Sequence, residues 1–148
     1  MTSVEHSITI NRPVEEVFAY ASDWKKWHEW FEGVSSFKPV TKTRKGNGAR
    51  YAYKAKIMGL AIPVEIEIHD FIPDKGWKGR STRGTPHRTR WEFESAGLGT
   101  RFTYGLEFRL PVPVVGPLMD RLFLKPQWEK LLRNSLQNLN LKLTCIES

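Results

Sequence analysis

The feature that most constrains the fold is a long amphipathic segment near the C-terminus, VGPLMDRLFLKPQWEKLLRNSLQNLNLKL, at residues 115–143. Apolar residues recur there at the three- and four-residue spacing of a helix, and Pro117 suits its first turn. The stripe consists of Leu118, Met119, Leu122, Phe123, Trp128, Leu132, Leu136, Leu139 and Leu143. Pro126 removes a backbone donor, which predicts a kink or a fresh start. No other predicted helix is long enough to cover a β-sheet.

Length and composition predict a single soluble domain that spans residues 1–148. A chain of 148 residues buries roughly 70% of the surface that its unfolded form exposes, which is enough for a core. No apolar run approaches the ~20 residues that a membrane span needs. The start, MTSVEHSITINRP, lacks the features of a secretory signal, and Cys145 is the only cysteine. We therefore expect a reducing, cytoplasmic location.

The N-terminal third predicts one strand and two short helices. Val4, His6, Ile8 and Ile10 alternate with polar residues, as in a half-buried strand. A helix follows in NRPVEEVFAYA, where Pro13 suits the start and the apolar residues keep helical spacing. In DWKKWHEWF, capped by Ser22 or Asp23, one helical face carries Trp24, Trp27, Trp30 and Phe31. We expect these rings to close one end of the core, because an interfacial membrane helix is usually longer.

Opposite charges predict the registers of two hairpins. The first sets the lysines of 54–56 opposite the glutamates of 65–67, with a turn near Gly59 and Leu60. The second turns at 97–99. It aligns Arg88 with Glu107, Trp91 with Tyr104, Phe93 with Phe102 and Glu94 with Arg101. Together with turns at 46–48 and in PDKGWKGR, this gives about six strands after the helices. One strand, two short helices, an antiparallel meander and a long helix predict an α+β fold in which a curved sheet grips the terminal helix.

The segment ITINRPVEEVFAYASDWKKWHEWFEGVSSFKPV resembles the opening of the START-like (SRPBCC) superfamily, in particular its polyketide cyclase/dehydrase and lipid-transport branch. The positions that match the family pattern are Pro13, Val17, Phe18, Asp23, Trp30 and Val34. GPLMDRLF is similar to the start of the family's last helix, so the resemblance spans nearly the whole chain. It implies the helix-grip fold and a pocket between sheet and helix, but it names no ligand, since members bind different molecules and only some are enzymes.

Catalytic and metal-binding signatures are absent from the sequence, which has no GxSxG, HExxH, phosphate-loop, dinucleotide or CxxC pattern. His28 and His69 belong to solvated faces, whereas His6 lies on an apolar face. For His6, a structural role in the core is favoured over a role as a ligand or general base. We assign no catalytic residue, cofactor or metal ion from the sequence.

The inward faces of the strands and the terminal helix supply the candidate pocket. Its candidate lining residues are Tyr53, Ile66, Trp77, Trp91, Phe93, Tyr104, Phe108, Met119 and Phe123. The polar groups that could orient a ligand are Tyr51, Tyr53, Ser81, Thr89 and Tyr104. An aromatic face of this kind serves a closed core equally well, so the pocket requires a cavity, of roughly 300 Å³ or more in a typical ligand site.

Basic residues form two clusters near turns, and the chain carries a net charge of +7. The clusters are Arg80, Arg83, His87, Arg88 and Arg90, and Lys42, Arg44, Lys45 and Arg50. A positive rim at one end of the sheet would attract lipid headgroups, a carboxylate ligand or RNA. The aromatic residues alternate to the opposite face, which argues against a nucleic-acid partner.

Three hypotheses follow from the sequence. The first is a non-catalytic protein that binds or carries a hydrophobic small molecule, such as a lipid, a quinone or a polyketide-like compound. The second is a cyclase or aromatase in which Tyr53, Tyr104 or His6 protonates an enolisable ketone. The third is an interaction module that uses the basic rim, including peripheral membrane contact.

Overall fold

The structure, a computed structural model, describes residues 2–43, 45–57, 59–84, 86–108 and 125–144. The strands are β1 (Thr2–Ile10), β2 (Lys38–Pro39), β3 (Arg50–Ile57), β4 (Leu60–Ile72), β5 (Gly76–Arg83), β6 (His87–Ala96) and β7 (Gly99–Phe108). The helices are α1 (Val14–Ala21), a 3-10 turn (Trp24–Lys26), α2 (Trp27–Trp30) and α3 (Lys125–Thr144).

The seven strands form one antiparallel sheet in the order β1-β7-β6-β5-β4-β3-β2. The first strand pairs with the last, while the strands between them follow as a meander. With α3 against one face and the short helices after β1, this confirms the predicted α+β fold, a curved sheet around the C-terminal helix. No helix in the described ranges is both long and apolar enough to cross a membrane.

The tryptophan-rich segment closes the core as predicted. Asp23 caps the 3-10 turn through its carboxylate oxygen, which accepts a hydrogen bond from the Lys25 backbone N–H at 3.1 Å. Trp27 and Trp30 are buried, and the Trp27 indole N–H donates to the Ala21 carbonyl at 2.7 Å. Trp24 is half-buried against Tyr51, with ring centroids 5.8 Å apart. This arrangement fits a cover over the core rather than a membrane anchor.

The predicted register of the β3–β4 hairpin is wrong by four residues. Lys54 lies opposite Pro63, and Glu67 lies opposite Arg50. The Glu67 carboxylate contacts Arg50 and Arg80, each at 2.8 Å, so arginines on both neighbouring strands supply the charge that was assigned to lysine. A slip of four residues is even and returns every side chain to its predicted face. The inward faces of β3 and β4 are therefore as expected.

The β6–β7 hairpin has the predicted register, with Arg88 opposite Glu107 and Phe93 opposite Phe102. Its two-residue turn lies between Ala96 and Gly99, and Gly97 there has a positive φ of 63°. The rings of Phe93 and Phe102 stack with centroids 4.6 Å apart. Charge pairing outside and ring pairing inside thus agree on one register.

Helix α3 packs its apolar stripe against the sheet and forms hydrogen bonds with α2 and the segment that follows it. Its buried residues are Leu132, Ser135, Leu136, Leu139 and Leu143. The Ser135 hydroxyl accepts a hydrogen bond from the Glu32 N–H at 2.9 Å, and the Asn138 amide donates to the Trp30 carbonyl at 3.2 Å. The predicted helical segment 117–124 and Cys145 lie outside the described residues, and the kink at Pro126 stays a prediction.

Candidate functional site

A cavity of about 70 Å³ lies between the concave face of the sheet and α3; we call it the outer chamber. The segment that follows α2, the strands β3 and β7 and the helix α3 each contribute walls. The lining residues are Phe31, Glu32, Gly33, Val34, Tyr53, Ala55, Lys56, Val64, His87, Tyr104, Leu106, Phe108, Trp128 and Leu131. The walls are largely apolar, as in sites that hold hydrophobic molecules.

A second cavity of about 40 Å³, which we call the inner chamber, has no exposed residue in its lining. It shares five lining residues with the outer chamber and adds others from β4 and β6. The shared residues are Phe31, Val34, Tyr53, His87 and Tyr104, and the additional ones are Trp27, Phe37, Ile66, Thr89 and Trp91. Each chamber exceeds the ~10–15 Å³ that one water needs but is smaller than the 300 Å³ expected of a ligand pocket.

Aromatic packing explains the small volumes. Phe37 stacks on Tyr53 with ring centroids 4.2 Å apart, and Tyr104 contacts Phe31 at 5.3 Å and Trp91 at 5.1 Å. These rings occupy space that a ligand would need. Phe31 and Trp128, both half-buried, stand where the outer chamber approaches solvent.

Tyr53 and Tyr104 carry the principal hydroxyl groups of the chambers. Burial raises the pKa of Tyr53 above its ordinary range. Burial also raises the pKa of Tyr104 well above its usual value, and a negative charge on nearby Tyr53 would raise it further. Among the described residues, neither hydroxyl has a hydrogen-bond partner. Both groups are therefore neutral at physiological pH and available to donate to an oxygen atom within the cavity.

All four tyrosines of the chain should resist ionisation while the protein is folded. Burial raises the pKa of Tyr51 to about 12 and, with Glu29 and Asp23 nearby, also raises the pKa of Tyr20. Because the pKa values of these tyrosines are higher in the folded state than the unfolded value near 10, their contribution to the stability of the protein is fully present below pH 10. It falls as the pH rises through the folded values. We expect less tyrosinate absorbance at pH 10 in the native protein than in concentrated urea; equal absorbance would contradict the burial.

The structure places five of the nine candidate lining residues on the chamber walls: Tyr53, Ile66, Trp91, Tyr104 and Phe108. Trp77 and Phe93 lie elsewhere in the core, where Phe18 of α1 packs on them with centroid distances of 5.6 and 5.1 Å. Met119 and Phe123 lie outside the described residues. A ligand-binding role for any of the nine stays a prediction.

The polar candidates divide in a similar way. Thr89 lines the inner chamber, and its hydroxyl accepts a hydrogen bond from the Trp91 indole N–H at 3.2 Å. Tyr51 and Ser81 lie outside both walls: Tyr51 packs on Trp27 at 5.2 Å, and the Ser81 hydroxyl accepts from the His87 N–H at 3.0 Å. His6 lies opposite Tyr104 in the sheet but lines neither chamber.

His87 lines both chambers, although its neighbours in the sequence group it with the predicted basic rim. The signal that identifies it is strand parity, because His87 lies two residues from Thr89 and four from Trp91 and so shares their inward face. Within the described ranges, no cluster of histidine, cysteine or carboxylate side chains is suited to hold a metal ion.

The chain matches a known protein family over nearly its whole length. The sequence model of the polyketide cyclase/dehydrase and lipid transport family matches residues 1–144. The chain belongs to that family. This confirms the resemblance seen in the first helices, and the family's fold is one that binds hydrophobic ligands. No curated protein is similar enough in sequence to count as a match.

Several solved structures share the family fold. TTHA0849 from Thermus thermophilus is 22% identical with a TM-score of 0.85, and the match covers 99% of this chain and 100% of that one. A START superfamily protein from Mycobacterium smegmatis is 15% identical with a TM-score of 0.77, covering 97% and 98%. The Zhui aromatase/cyclase from Streptomyces sp. R1128 is 14% identical with a TM-score of 0.75, covering 97% and 93%. At these identities the likeness establishes the fold alone.

Proposed function

We propose that this family member binds or carries a hydrophobic small molecule in the outer and inner chambers without converting it. The observation that carries the proposal is an apolar cavity lined by Tyr53 and Tyr104, whose hydroxyl groups make no hydrogen bond with a described residue. Apolar walls with a few convergent polar groups are the usual composition of a small-molecule site. Lipids, quinones and polyketide-like compounds have this character.

The polar end of the ligand is best matched by a carbonyl or hydroxyl oxygen. Tyr53 and Tyr104 each line both chambers, so both hydroxyl groups belong to the same site. The inner chamber is walled by neutral aromatic, aliphatic and hydroxyl side chains together with His87. A buried carboxylate group of a ligand would require a positively charged side chain beside it. An uncharged carbonyl or hydroxyl oxygen is therefore the better fit.

Filling the outer chamber should abolish ligand binding. Ala55 lines this chamber and is half-buried, so Ala55→Trp would place an indole in the cavity. Ala61 is exposed on the neighbouring strand and lines neither chamber, which makes Ala61→Trp the matched control. We expect native mass spectrometry and organic extraction of gently purified protein to find a hydrophobic adduct on the wild type and on Ala61→Trp. The adduct should be lost from Ala55→Trp, and an adduct retained there would contradict the site.

A defined probe tests the tyrosines. Acetophenone joins one aromatic ring to one carbonyl, and its binding can be followed by chemical shifts of the indole N–H groups. We expect Tyr53→Phe and Tyr104→Phe each to weaken binding about 2–13-fold, the value of one neutral hydrogen bond. Tyr20→Phe, outside the chambers, is the control and should leave the affinity unchanged. Unchanged affinity in both cavity variants would show that the hydroxyls do not orient the carbonyl.

A cyclase or aromatase activity is the second candidate, favoured by one specific arrangement. The hydroxyl groups of Tyr53 and Tyr104 can donate hydrogen bonds to the oxygen of an enolisable ketone, and His6 lies opposite Tyr104 in the β1–β7 register. The Zhui aromatase/cyclase has a similar fold. Turnover of an enolisable ketone that falls on Tyr-to-Phe substitution would support this activity. Turnover unaffected by Tyr53→Phe, Tyr104→Phe and His6→Gln would exclude it.

A further inference from the structure

The positive charge of the chain is concentrated in one segment. Residues 33–64 contain seven lysines and arginines and no acidic residue, while the remaining sixteen basic residues are matched by sixteen acidic ones. This segment therefore accounts for the whole net charge of +7. It forms β2, β3, their connection and the start of β4, which is one edge of the sheet.

Five lysines of this segment form a surface that we call the lysine edge: Lys38, Lys42, Lys45, Lys54 and Lys56. All five are exposed, and none has an ion pair with a described residue. Lys38 pairs with Ala52 on the same outer face as Lys54 and Lys56. Lysines on an edge strand discourage aggregation, but that protection does not require all the net charge of a protein in one place.

The other basic cluster differs from the lysine edge because acidic partners neutralise much of it. Arg80 contacts Glu67 at 2.8 Å, and Arg90 contacts Glu5 at 2.8 Å. Lys78, beside them on β5, lies 3.7 Å from Asp70. The arginine part of the predicted rim is thus a solvated, largely neutral sheet face, whereas Lys42 and Lys45 of its other part belong to the lysine edge, where an anionic partner would be attracted.

Two further features of the same segment select a lipid surface as that partner. Val40 is 51% exposed and Leu60, at the tip of the β3–β4 hairpin, is 67% exposed. Gly33, Val34, Ala55 and Lys56 line the outer chamber, so the lysine edge adjoins the cavity. Exposed apolar side chains beside lysines suit an anionic bilayer, in which the lysines meet headgroups and the apolar groups enter the interface.

We propose that the lysine edge docks the protein on anionic lipid bilayers, with Leu60 inserted and the outer chamber beside the membrane. RNA fits the edge less well, because the outward residues of β3 (Arg50, Ala52, Lys54 and Lys56) include no ring on which a base could stack. The docking is independent of cavity occupancy, so the proposed function and this inference can fail separately.

Vesicle flotation without added cavity ligand tests the docking. We use vesicles of phosphatidylcholine alone and of phosphatidylcholine with about one quarter phosphatidylglycerol, and expect binding only to the anionic vesicles. Replacing the five lysines of the edge by glutamine should weaken that binding about tenfold or more. The control variant replaces five other exposed lysines, Lys25, Lys75, Lys78, Lys130 and Lys142, by glutamine and should retain affinity within about threefold.

Each other outcome overturns the proposal. Equal losses in the two five-lysine variants would show that overall charge, not the edge, drives binding. Failure of the wild type to bind anionic vesicles at about 50 mM salt would exclude the bilayer as partner. Tighter binding of single-stranded RNA than of anionic vesicles, through the same lysines, would assign the edge to nucleic acid.

The insertion of Leu60 has its own matched pair. Leu60→Ser should weaken binding to anionic vesicles several-fold, because apolar area no longer leaves water. Leu141→Ser changes a leucine of α3 that is 58% exposed and should have no effect. If Leu60→Ser also has no effect, the lysines act without insertion and that part of the proposal is wrong. Circular dichroism confirms that both variants are folded.

Discussion

Gly76→Ala should be among the most destabilising single changes in this protein. Gly76 begins β5 with a φ of 147°, and a Cβ atom added there would lie 1.9 Å from the Trp91 carbonyl oxygen. The clash is with the backbone of Trp91, which is held in place because the Trp91 ring stacks on the Trp77 ring with centroids 4.5 Å apart. We expect the free energy of unfolding to fall by about 3 kcal/mol or more, measured by urea denaturation with tryptophan fluorescence.

Gly48→Ala is the matched control for Gly76→Ala. Gly48 also has a positive φ, of 84°, but nothing lies within 4 Å of an added Cβ atom. Its substitution should therefore cost only the backbone strain of about 1 kcal/mol. Similar losses in the two variants would mean that strain, rather than the approach of β6 to Gly76, sets the effect.

The contrast between the two hairpins shows what charge patterns can predict. In β6–β7, Arg88 and Glu107 pair outside while Phe93 and Phe102 pair inside, so two independent signals select one register. In β3–β4, the lysine and glutamate spacing was supported only by the alternation of apolar residues, which is the same for every even shift of register. Arg50 and Arg80, on the strands that flank β4, took the place of the lysines beside Glu67. Pairwise charge matching fails where a residue has partners on two neighbouring strands.

The candidate site was predictable as a face but not as a volume. Strand parity correctly selected inward residues such as Tyr53, Trp91 and Tyr104, because side chains alternate across a sheet. Position along the strands decides the rest: Phe18 packs over Trp77 and Phe93, so those rings close the core at one end. The volume of the cavity depends on the rotamers of the rings and on the curvature of the strands, and the spacing of residues in the sequence predicts neither.

Net charge illustrates a different limit of sequence reasoning. The value of +7 indicated an anionic partner, and the two basic clusters near turns were joined in one predicted rim, although only the cluster with Lys42 and Lys45 belongs to the lysine edge. Sheet topology resolves this, because it places an acid-free segment at the edge and sets Arg80 and Arg90 beside acidic side chains. A local balance of opposite charges needs the pairing of strands, and composition cannot supply it.

Leu136→Ala should strongly destabilise the protein because it removes a fully buried side chain from the contact between α3 and the sheet. Leu136 is fully buried in the stripe that α3 packs on the sheet. Removing three carbons there loses the transfer free energy and leaves a void, a combination that costs about 2–5 kcal/mol. Urea denaturation measures the loss, and an unchanged slope with denaturant would show that the folded state keeps its extent.

Leu141→Ala makes the same chemical change on the opposite side of α3, where the leucine is 58% exposed. Because alanine is at least as good a helix former as leucine and little area is buried, we expect a change below about 0.5 kcal/mol. Comparable losses in the two variants would mean that helix formation, and not contact with the sheet, determines stability. A large difference means that packing holds α3 in place. The outer chamber then exists because Leu136 and its buried neighbours hold the helix on the sheet, while the half-buried Trp128 and Leu131 form the wall that α3 gives to that chamber.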